Sequence, residues 1–269
     1  MREIISMPFF VNAIAMCVIM SLLFGMLSFF VVLRRMSFLG AGVAHTAFGG
    51  VALGLFLGID PFFASLAFCV LAAVTLGRLV SRDGLSYDAG IGIFFAFSMA
   101  LGAILIAVRK AYSFDLMGYL FGNILGVTTF DTVMAAIALV LLYLFVGLYL
   151  HRLLFMSFDE DVASTSGVRT GALDTLLLAL MAAVIITGIK VVGIILISAL
   201  VVLPASFGLL LSKNFRLVIA WGILYTFAIM TGGLALSFVL DTPTGATIVS
   251  LGTALYFLAM AFVRIFMNK

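Results

Sequence analysis

The sequence predicts an all-α fold: a polytopic integral membrane bundle of eight or nine transmembrane helices, with short surface and re-entrant helices. Of its 269 residues, 65% are hydrophobic and 9% are charged, whereas a soluble domain usually carries roughly 25% charged residues. Residues 9–33 contain no charged side chain, and so long a run can cross a hydrocarbon core of about 30 Å. No linker interrupts the pattern, so we expect a single transmembrane domain over residues 1–269.

Hydrophobic runs define nine candidate spans. They cover residues 9–33, 38–58, 61–77, 91–108, 131–150, 171–187, 189–205, 216–236 and 247–266. The sixth and seventh are joined only by a glycine-containing turn near Lys190, so they form either two spans or one broken helix. The count is nine in the first case and eight in the second.

The basic residues predict the orientation of the chain, because cytoplasmic loops carry an excess of Lys and Arg. If the loop at Arg34 and Arg35 is cytoplasmic and nine spans alternate, ten basic residues lie inside and four outside. We therefore expect the N-terminus outside and the C-terminus in the cytoplasm. With eight spans, the two termini would share one side.

Three segments between the spans differ from ordinary loops. Residues 113–129 are too apolar for a solvated loop and predict a short, packed or re-entrant helix at the outer face. Residues 151–171 form the longest polar stretch and should lie on the cytoplasmic face. Residues 204–216 have an apolar core and a basic end, which predicts a short amphipathic helix along the cytoplasmic surface.

Glycines recur at every fourth position in two places, which puts them on one helix face and lets a second helix approach closely. The positions are Gly50, Gly54 and Gly58 in the second span, and Gly118, Gly122 and Gly126 before the fifth. The pattern does not distinguish packing within one chain from packing between two.

The charged residues restrict how such a protein obtains energy. Every carboxylate lies in a loop or near a span end, so the titrating group that a proton- or sodium-driven carrier usually needs is missing from the spans. No base–nucleophile pair at membrane depth indicates a hydrolase, and there is no GxxxxGK[ST] phosphate loop. We therefore expect a partner ATPase to act on the segment 204–216. Cys17 and Cys69 stand alone and indicate neither a disulfide nor a metal site.

His45 is the histidine that lies inside an apolar run. It sits about 10 Å beyond the predicted start of its helix, and a neutral imidazole is a good ligand for Zn²⁺ and related ions. The alternative is a histidine that donates a hydrogen bond to a neighbouring helix. One histidine makes a poor metal site, although two copies in a homodimer could face each other. His151 is interpreted as an interfacial surface residue.

Several stretches together carry a family resemblance. They are SFLGAGVAHTAFGGVALG (37–54), YDAGIGIFFAFSMALG (87–102), DLMGYLFGNILG (115–126), LLFMSFDEDVASTSGVRTGALDTLLL (153–178), VVGIILISALVVLPAS (191–206) and LDTPTGATIVSLG (240–252). In this order they resemble the membrane permease subunit of ATP-binding-cassette importers for zinc, manganese and iron, and they cover nearly the whole chain.

The resemblance implies a non-enzymatic permease in a prokaryotic plasma membrane, and an assembly around it. The permease would form a homodimer in the lipid, bind two cytoplasmic ATPase subunits and receive metal from an extracytoplasmic binding protein, with no nucleic acid involved. It would hold no permanent cofactor, since the divalent ion is its cargo. The segment 204–216 would be the coupling helix, with Pro204, Ala205, Ser206, Leu209, Ser212 and Lys213 as its contact residues.

The chain departs from the family pattern beside His45. Many members carry an aspartate four residues before this histidine, where both side chains would share one helix face, but here the position is Ala41. Because Mn²⁺ favours oxygen ligands, the change leads us to favour zinc. Asp60 and Asp241, near outer span ends, would then guide the ion at the entrance, or they are simply helix-end and turn residues.

Two alternatives remain open at this point. The same machine could carry a metal chelate, such as a siderophore or cobalamin, in a wide aromatic-lined cavity. A chain of another class could serve as a membrane scaffold or sensor without transport. Association with an ATPase would separate the permease from the scaffold.

Overall fold

The computed structural model describes residues 8–109, 118 and 121–266. In this part of the chain there are ten α-helices, one 3₁₀ turn and no strand. The helices are α1 (Pro8–Leu33), α2 (Leu39–Leu57), α3 (Pro61–Asp83), α4 (Tyr87–Arg109), α5 (Thr129–Phe158), α6 (Glu160–Thr165), α7 (Thr170–Val192), α8 (Ile197–Leu211), α9 (Phe215–Leu240) and α10 (Thr244–Phe266); the 3₁₀ turn is Ile124–Gly126.

Eight of the described helices are long and apolar enough to cross a membrane, namely all except α6 and α8. The predicted all-α membrane bundle is thus confirmed. The predicted span 189–205 is wrong in its bounds, because α7 continues to Val192 and the helix breaks at Gly193. Gly193 adopts the left-handed conformation, with φ of +88°, which glycine tolerates readily.

The predicted surface helix over residues 204–216 is also wrong. Pro204 lies inside α8, which ends at Leu211, and α9 begins after a link whose Asn214 side chain caps Arg216 N–H at 3.0 Å. A proline inside a helix removes one backbone donor and crowds the preceding turn. The helix nevertheless continues through the proline, and beside it the Ser28 hydroxyl on α1 accepts a hydrogen bond from Ala205 N–H at 2.8 Å.

The predicted outer-face helix falls largely outside the described residues, which exclude 113–117, 119 and 120. Of this segment, the structure describes the 3₁₀ turn and its flanks. Asn123 caps the turn by accepting hydrogen bonds from Leu125 N–H at 3.1 Å and Gly126 N–H at 3.2 Å. The polar stretch after α5 contains the short helix α6, capped by Asp159.

The helices fall into two compact units, and each combines segments that are distant in sequence. The first unit covers residues 1–37, 115–137 and 187–269, and the second covers residues 38–114 and 138–186. In the first unit, α1 packs against α8 and α9. Its central side chains, including Phe24 and Leu27, are fully buried.

The first unit has two ends that its contacts identify. At one end, the Asn12 side chain donates to Thr129 Oγ1 at 3.3 Å, and Asn123 N–H donates to the Lys190 carbonyl at 3.0 Å. At the other end, the Phe29 and Phe215 rings lie 6.4 Å apart. Asp131 lies two residues after Thr129 in α5 and binds Lys190 in the last turn of α7, so the starts of α1 and α5 lie beside the end of α7. The end of α7 is thus at the first end of the unit, and the start of α9 is at the second. The helix α8 carries the chain from one to the other.

In the second unit, α2 packs against both α3 and α4. Small residues allow this contact to be close. A Cβ added at Gly49 would lie 2.7 Å from the Ser98 carbonyl oxygen, and one added at Gly42 would lie 2.0 Å from Ile91 Cγ2. Such approaches are typical of membrane helices, where packing and not water exclusion holds helices together.

Candidate functional sites

His45 lies on α2 at its contact with α4. The residue is half-buried, and its ring meets the Phe95 ring edge-on, with 4.8 Å between centroids and 86° between planes. Its neighbours Ala44 and Thr46 are buried. Close packing of α2 against α3 and α4 therefore fixes the backbone that carries the imidazole.

No group of three His, Cys, Asp or Glu side chains that could hold a metal ion occurs in the part of the chain that the structure describes. Ala41, one helical turn before His45, offers no ligand atom. A protein site for a late divalent ion usually supplies three or four ligands. His45 would therefore need water, cargo ligands or a second copy of the chain to complete a coordination sphere.

Asp60 and Asp241 both occupy helix ends. The Asp60 carboxylate is the N-cap of α3, accepting hydrogen bonds from Phe62 N–H at 2.9 Å and Phe63 N–H at 3.4 Å. Asp241 ends α9 in the left-handed conformation, with φ of +51°. Both residues are exposed. These local roles account for both aspartates, and a role at an ion entrance stays a prediction.

The predicted coupling residues differ in accessibility. Pro204 and Ala205 are buried in the first unit, whereas Leu209 is 51% exposed. Ser206 and Ser212 are half-buried, and Lys213 is exposed. A partner on this face would reach the end of α8 and the link that follows it more readily than the proline itself.

The first set of regularly spaced glycines, Gly50, Gly54 and Gly58, has two roles. A Cβ added at Gly50 would lie 2.6 Å from Ser65 Cα, and one added at Gly54 would lie 2.7 Å from Ala64 Cβ, so both positions face α3. Gly58 instead ends α2 with φ of +73° and has no atom near an added Cβ.

The second set of regularly spaced glycines, Gly118, Gly122 and Gly126, does not lie on one helix face. Gly122 has φ of +72°, and an added Cβ would lie 2.4 Å from the Val192 carbonyl carbon. Gly126 belongs to the 3₁₀ turn, and its neighbour is the side chain of Asn123, 3.2 Å from an added Cβ. Gly118 accepts a hydrogen bond from Gly122 N–H at 2.9 Å.

Two polar pairs join residues that sequence reasoning treated separately. Lys190 Nζ lies 2.5 Å from Asp131 Oδ2 and ties the end of α7 to the start of α5. The Tyr87 hydroxyl donates to Asp174, which is only 1% exposed. Asp131 and Lys190 each lie at the start of a predicted span, a position compatible with pairing. Nothing in the sequence indicated the second pair.

Long apolar helices, glycine-mediated close packing and charged residues near helix ends define a multi-span α-helical membrane protein. The chain belongs to the ABC 3 transport family, whose sequence profile matches residues 6–263. The family resemblance inferred from the sequence is thus confirmed, and the chain is a transport protein.

Named relatives align with this chain over nearly their whole length. The chain is 32% identical over 255 residues to the manganese import system permease protein ScaB of Streptococcus gordonii, covering 95% of this chain and 91% of ScaB. It is 28% identical over 243 residues to the high-affinity zinc uptake system membrane protein ZnuB of Haemophilus influenzae, covering 90% and 93%. A solved structure, PsaBC from Streptococcus pneumoniae in complex with Fab, matches with a TM-score of 0.81 and 29% identity, covering 94% of this chain and 91% of the matched chain.

Proposed function

We propose that this chain is the permease subunit of an ATP-binding-cassette importer that takes up a divalent metal ion, with ATP hydrolysis in a partner subunit. The observation that carries the proposal is the family match over residues 6–263, together with relatives named for manganese and zinc import. Zinc and manganese are the first candidates for the cargo, and iron is the third. Ionic cargo is favoured over a siderophore or cobalamin chelate because these relatives are named for metal ions.

The assembly that this function requires is a homodimer with two ATPase subunits inside and a metal-binding protein outside. The exposed end of α8 and its link, with Leu209 and Lys213, offer the ATPase an apolar and a basic contact. ATP-driven movement there would alternate access to a path that includes His45. A single imidazole binds a cation weakly, which suits transit because the ion must also leave.

The contacts within the first unit support nine crossings and not eight. Lys190 lies at the end where α1 begins, whereas Phe215 lies at the end where α1 terminates, so α8 carries the chain across. Fifteen residues of α-helix span about 22 Å, and the turn and link on either side add the remaining length. Nine crossings, taken with the excess of basic residues in the loops predicted to be cytoplasmic, support an N-terminus outside and a C-terminus in the cytoplasm.

Cysteine labelling tests this orientation. The native thiols Cys17 and Cys69 are buried, so they contribute little background. With nine crossings, a membrane-impermeant maleimide should label Lys213→Cys only from the cytoplasmic side and Asp241→Cys only from outside. The reverse pattern would overturn this orientation.

Transport by the native complex tests the function itself. The tagged full chain is purified from its own membranes with any ATPase that accompanies it, reconstituted into vesicles and assayed with Zn²⁺, Mn²⁺ and Fe²⁺ in turn. ATP-dependent uptake of at least one ion is expected, and His45→Ala should reduce it about tenfold or more, a typical effect of losing one metal-associated side chain. His151→Ala, at an exposed position, is the matched control. Uptake driven by a proton or sodium gradient without ATP would overturn the proposal.

A further inference from the structure

Ser98 on α4 carries a buried hydroxyl that is left unpaired. The side chain is fully buried, and no hydrogen-bond partner for its Oγ occurs among the residues that the structure describes. By contrast, the buried Ser21 and Ser65 donate to the carbonyls of Val18 and Phe62 in their own helices, at 2.7 and 2.9 Å. A buried hydroxyl without a partner destabilises the packed arrangement that contains it. Ser98 therefore calls for an explanation beyond packing.

Ser98 belongs to the same contact between α2 and α4 as His45. The His45 ring meets the Phe95 ring, and a Cβ added at Gly49 would lie 3.1 Å from Ser98 Cβ. Residue numbers rise on both helices from the first pair to the second, so the helices run parallel here. Gly49 follows His45 by four residues, about 6 Å along the helix. The unpaired serine is therefore one helical turn beyond the imidazole.

The helix α4 is anchored at its start and packs chiefly against α2. The Tyr87 hydroxyl donates to the buried carboxylate of Asp174 on α7. Beyond this anchor, α4 packs mainly against α2 and more weakly against α3, and its other side leaves Phe97 and Ile104 exposed. Ser98 lies eleven residues after Tyr87, about 16 Å along the helix. A pivot at the anchored start would therefore separate Ser98 from α2 and leave the contact between α2 and α3 intact.

The contact on the other side of α2 has its polar groups paired. The Ser65 hydroxyl is bonded within α3, and the Cys69 thiol donates to the Val43 carbonyl of α2 at 3.7 Å. A Cβ added at Gly50 would lie 2.6 Å from Ser65 Cα, so the two backbones are close. Separation of α2 from α3 would break the thiol contact. Separation of α2 from α4 would instead release a hydroxyl that has no partner to lose.

We propose that the contact between α2 and α4 opens during transport, and that the Ser98 hydroxyl then lines the ion path one helical turn beyond His45. Opening gives the unpaired hydroxyl a partner, because its neutral oxygen binds the transported cation or the water around that cation. Such a ligand is weak, which suits an ion that must also leave. The inference rests on the proposed function, since it presumes a transported divalent ion, and it is independent of where the ATPase binds.

Cysteine accessibility tests the opening. Ser98→Cys places a thiol at a position that is buried in this structure, and the native Cys69 at the contact between α2 and α3 is the matched control. A small methanethiosulfonate reagent is applied to the reconstituted native complex, without ATP and during ATP-driven transport, and mass spectrometry identifies the modified positions. Labelling of Ser98→Cys should rise about tenfold during transport, as expected for a minor open state that becomes populated, while Cys69 stays unlabelled. Equal labelling of Ser98→Cys in both conditions, or an equal rise at Cys69, would overturn the inference.

Ser98→Ala separates this role from a structural one, because the two roles predict opposite signs. Alanine removes a hydroxyl that is unpaired only in the closed contact, so the unfolding temperature should rise by about 2–4 °C. The rate of ion uptake should fall about fivefold, because the closed state is then favoured. Ser65→Ala is the matched control and should keep the wild-type uptake. A joint fall of unfolding temperature and uptake in Ser98→Ala, unchanged uptake, or an equal loss in Ser65→Ala would contradict the proposal.

The failure of this inference is distinct from the failure of the proposed function. If the wild-type complex moves no ion with ATP, the proposed function fails. If the wild-type complex transports while Ser98→Cys stays unlabelled, only the opening of this contact is refuted. If Ser98→Cys does not assemble, the paired measurements on Ser98→Ala decide the question by themselves.

Discussion

Lys190 Nζ lies 2.5 Å from Asp131 Oδ2, an ion pair between the end of α7 and the start of α5. The two partners differ in environment, because the Lys190 side chain is 49% exposed and that of Asp131 only 9%. The carboxylate also accepts hydrogen bonds from Thr128 N–H at 2.8 Å and Thr128 Oγ1 at 2.6 Å. The aspartate is therefore the centre of this cluster.

We expect the two sides of the pair to differ in their effect on stability. Lys190→Ala should cost about 1 kcal/mol or less, since a half-exposed ion pair is screened by water. Asp131→Ala should cost about 1–3 kcal/mol, because it leaves the Thr128 donors and Lys190 without their acceptor. Thermal unfolding of the detergent-solubilised chain measures both. Lys190→Arg is the control and should stay near wild type, whereas equal losses for the two alanine variants would contradict the prediction.

Gly50 should be intolerant of any side chain. An added Cβ would lie 2.6 Å from Ser65 Cα and 3.0 Å from Phe68 Cβ, so α2 and α3 would have to separate. We expect Gly50→Ala to cost about 1–3 kcal/mol, as overpacking usually does.

Gly92→Ala is the matched control for Gly50, because no atom lies within 4 Å of an added Cβ in its helix α4. Alanine is the better helix former, so this change should leave the unfolding temperature unchanged or raise it. Similar losses for both glycine variants would show that helix packing does not distinguish them.

Asp60 allows its helix-capping role to be separated from a role in guiding ions. Asn retains the oxygen that accepts the Phe62 and Phe63 N–H bonds but removes the charge. We expect Asp60→Asn to keep the unfolding temperature and the metal concentration that half-saturates transport, whereas Asp60→Ala should lose about 1 kcal/mol of stability. A higher half-saturating metal concentration in Asp60→Asn would instead support the entrance role.

Ala41 determines which donor atoms accompany His45 on its face of α2. Asp at position 41 would add an oxygen ligand one helical turn away, and hard ions such as Mn²⁺ favour oxygen. Ala41→Asp should therefore raise the rate of Mn²⁺ uptake relative to Zn²⁺ in the reconstituted complex. Ala41→Asn, of similar size but neutral, should produce a smaller change. An unaltered Mn²⁺ to Zn²⁺ ratio would place position 41 outside the ion path.

The membrane fold could be read from the sequence, because the length of an apolar run and the position of charges are local properties. The family could be read from the resemblance of the six quoted stretches. An isolated imidazole within an apolar run is likewise visible without a structure, so His45 could be singled out as a candidate, and its role in the ion path stays a prediction. Sequence reasoning assigned Gly50 and Gly54 to a packed face and could not see that Gly58 ends its helix, because a left-handed residue depends on where the chain must turn.

The local pattern by itself determined that this is an all-α membrane protein, because a hydrocarbon environment dictates which residues can cross it. Only the tertiary structure decided that α8 continues through Pro204. A proline normally predicts a helix boundary. Next to Pro204, the Ala205 N–H donates a hydrogen bond to the hydroxyl of Ser28, which lies 177 residues earlier in the chain. The pairing of Lys190 with Asp131 was likewise decided by the fold. A partner contributed by a remote part of the chain leaves no trace in the spacing of nearby residues.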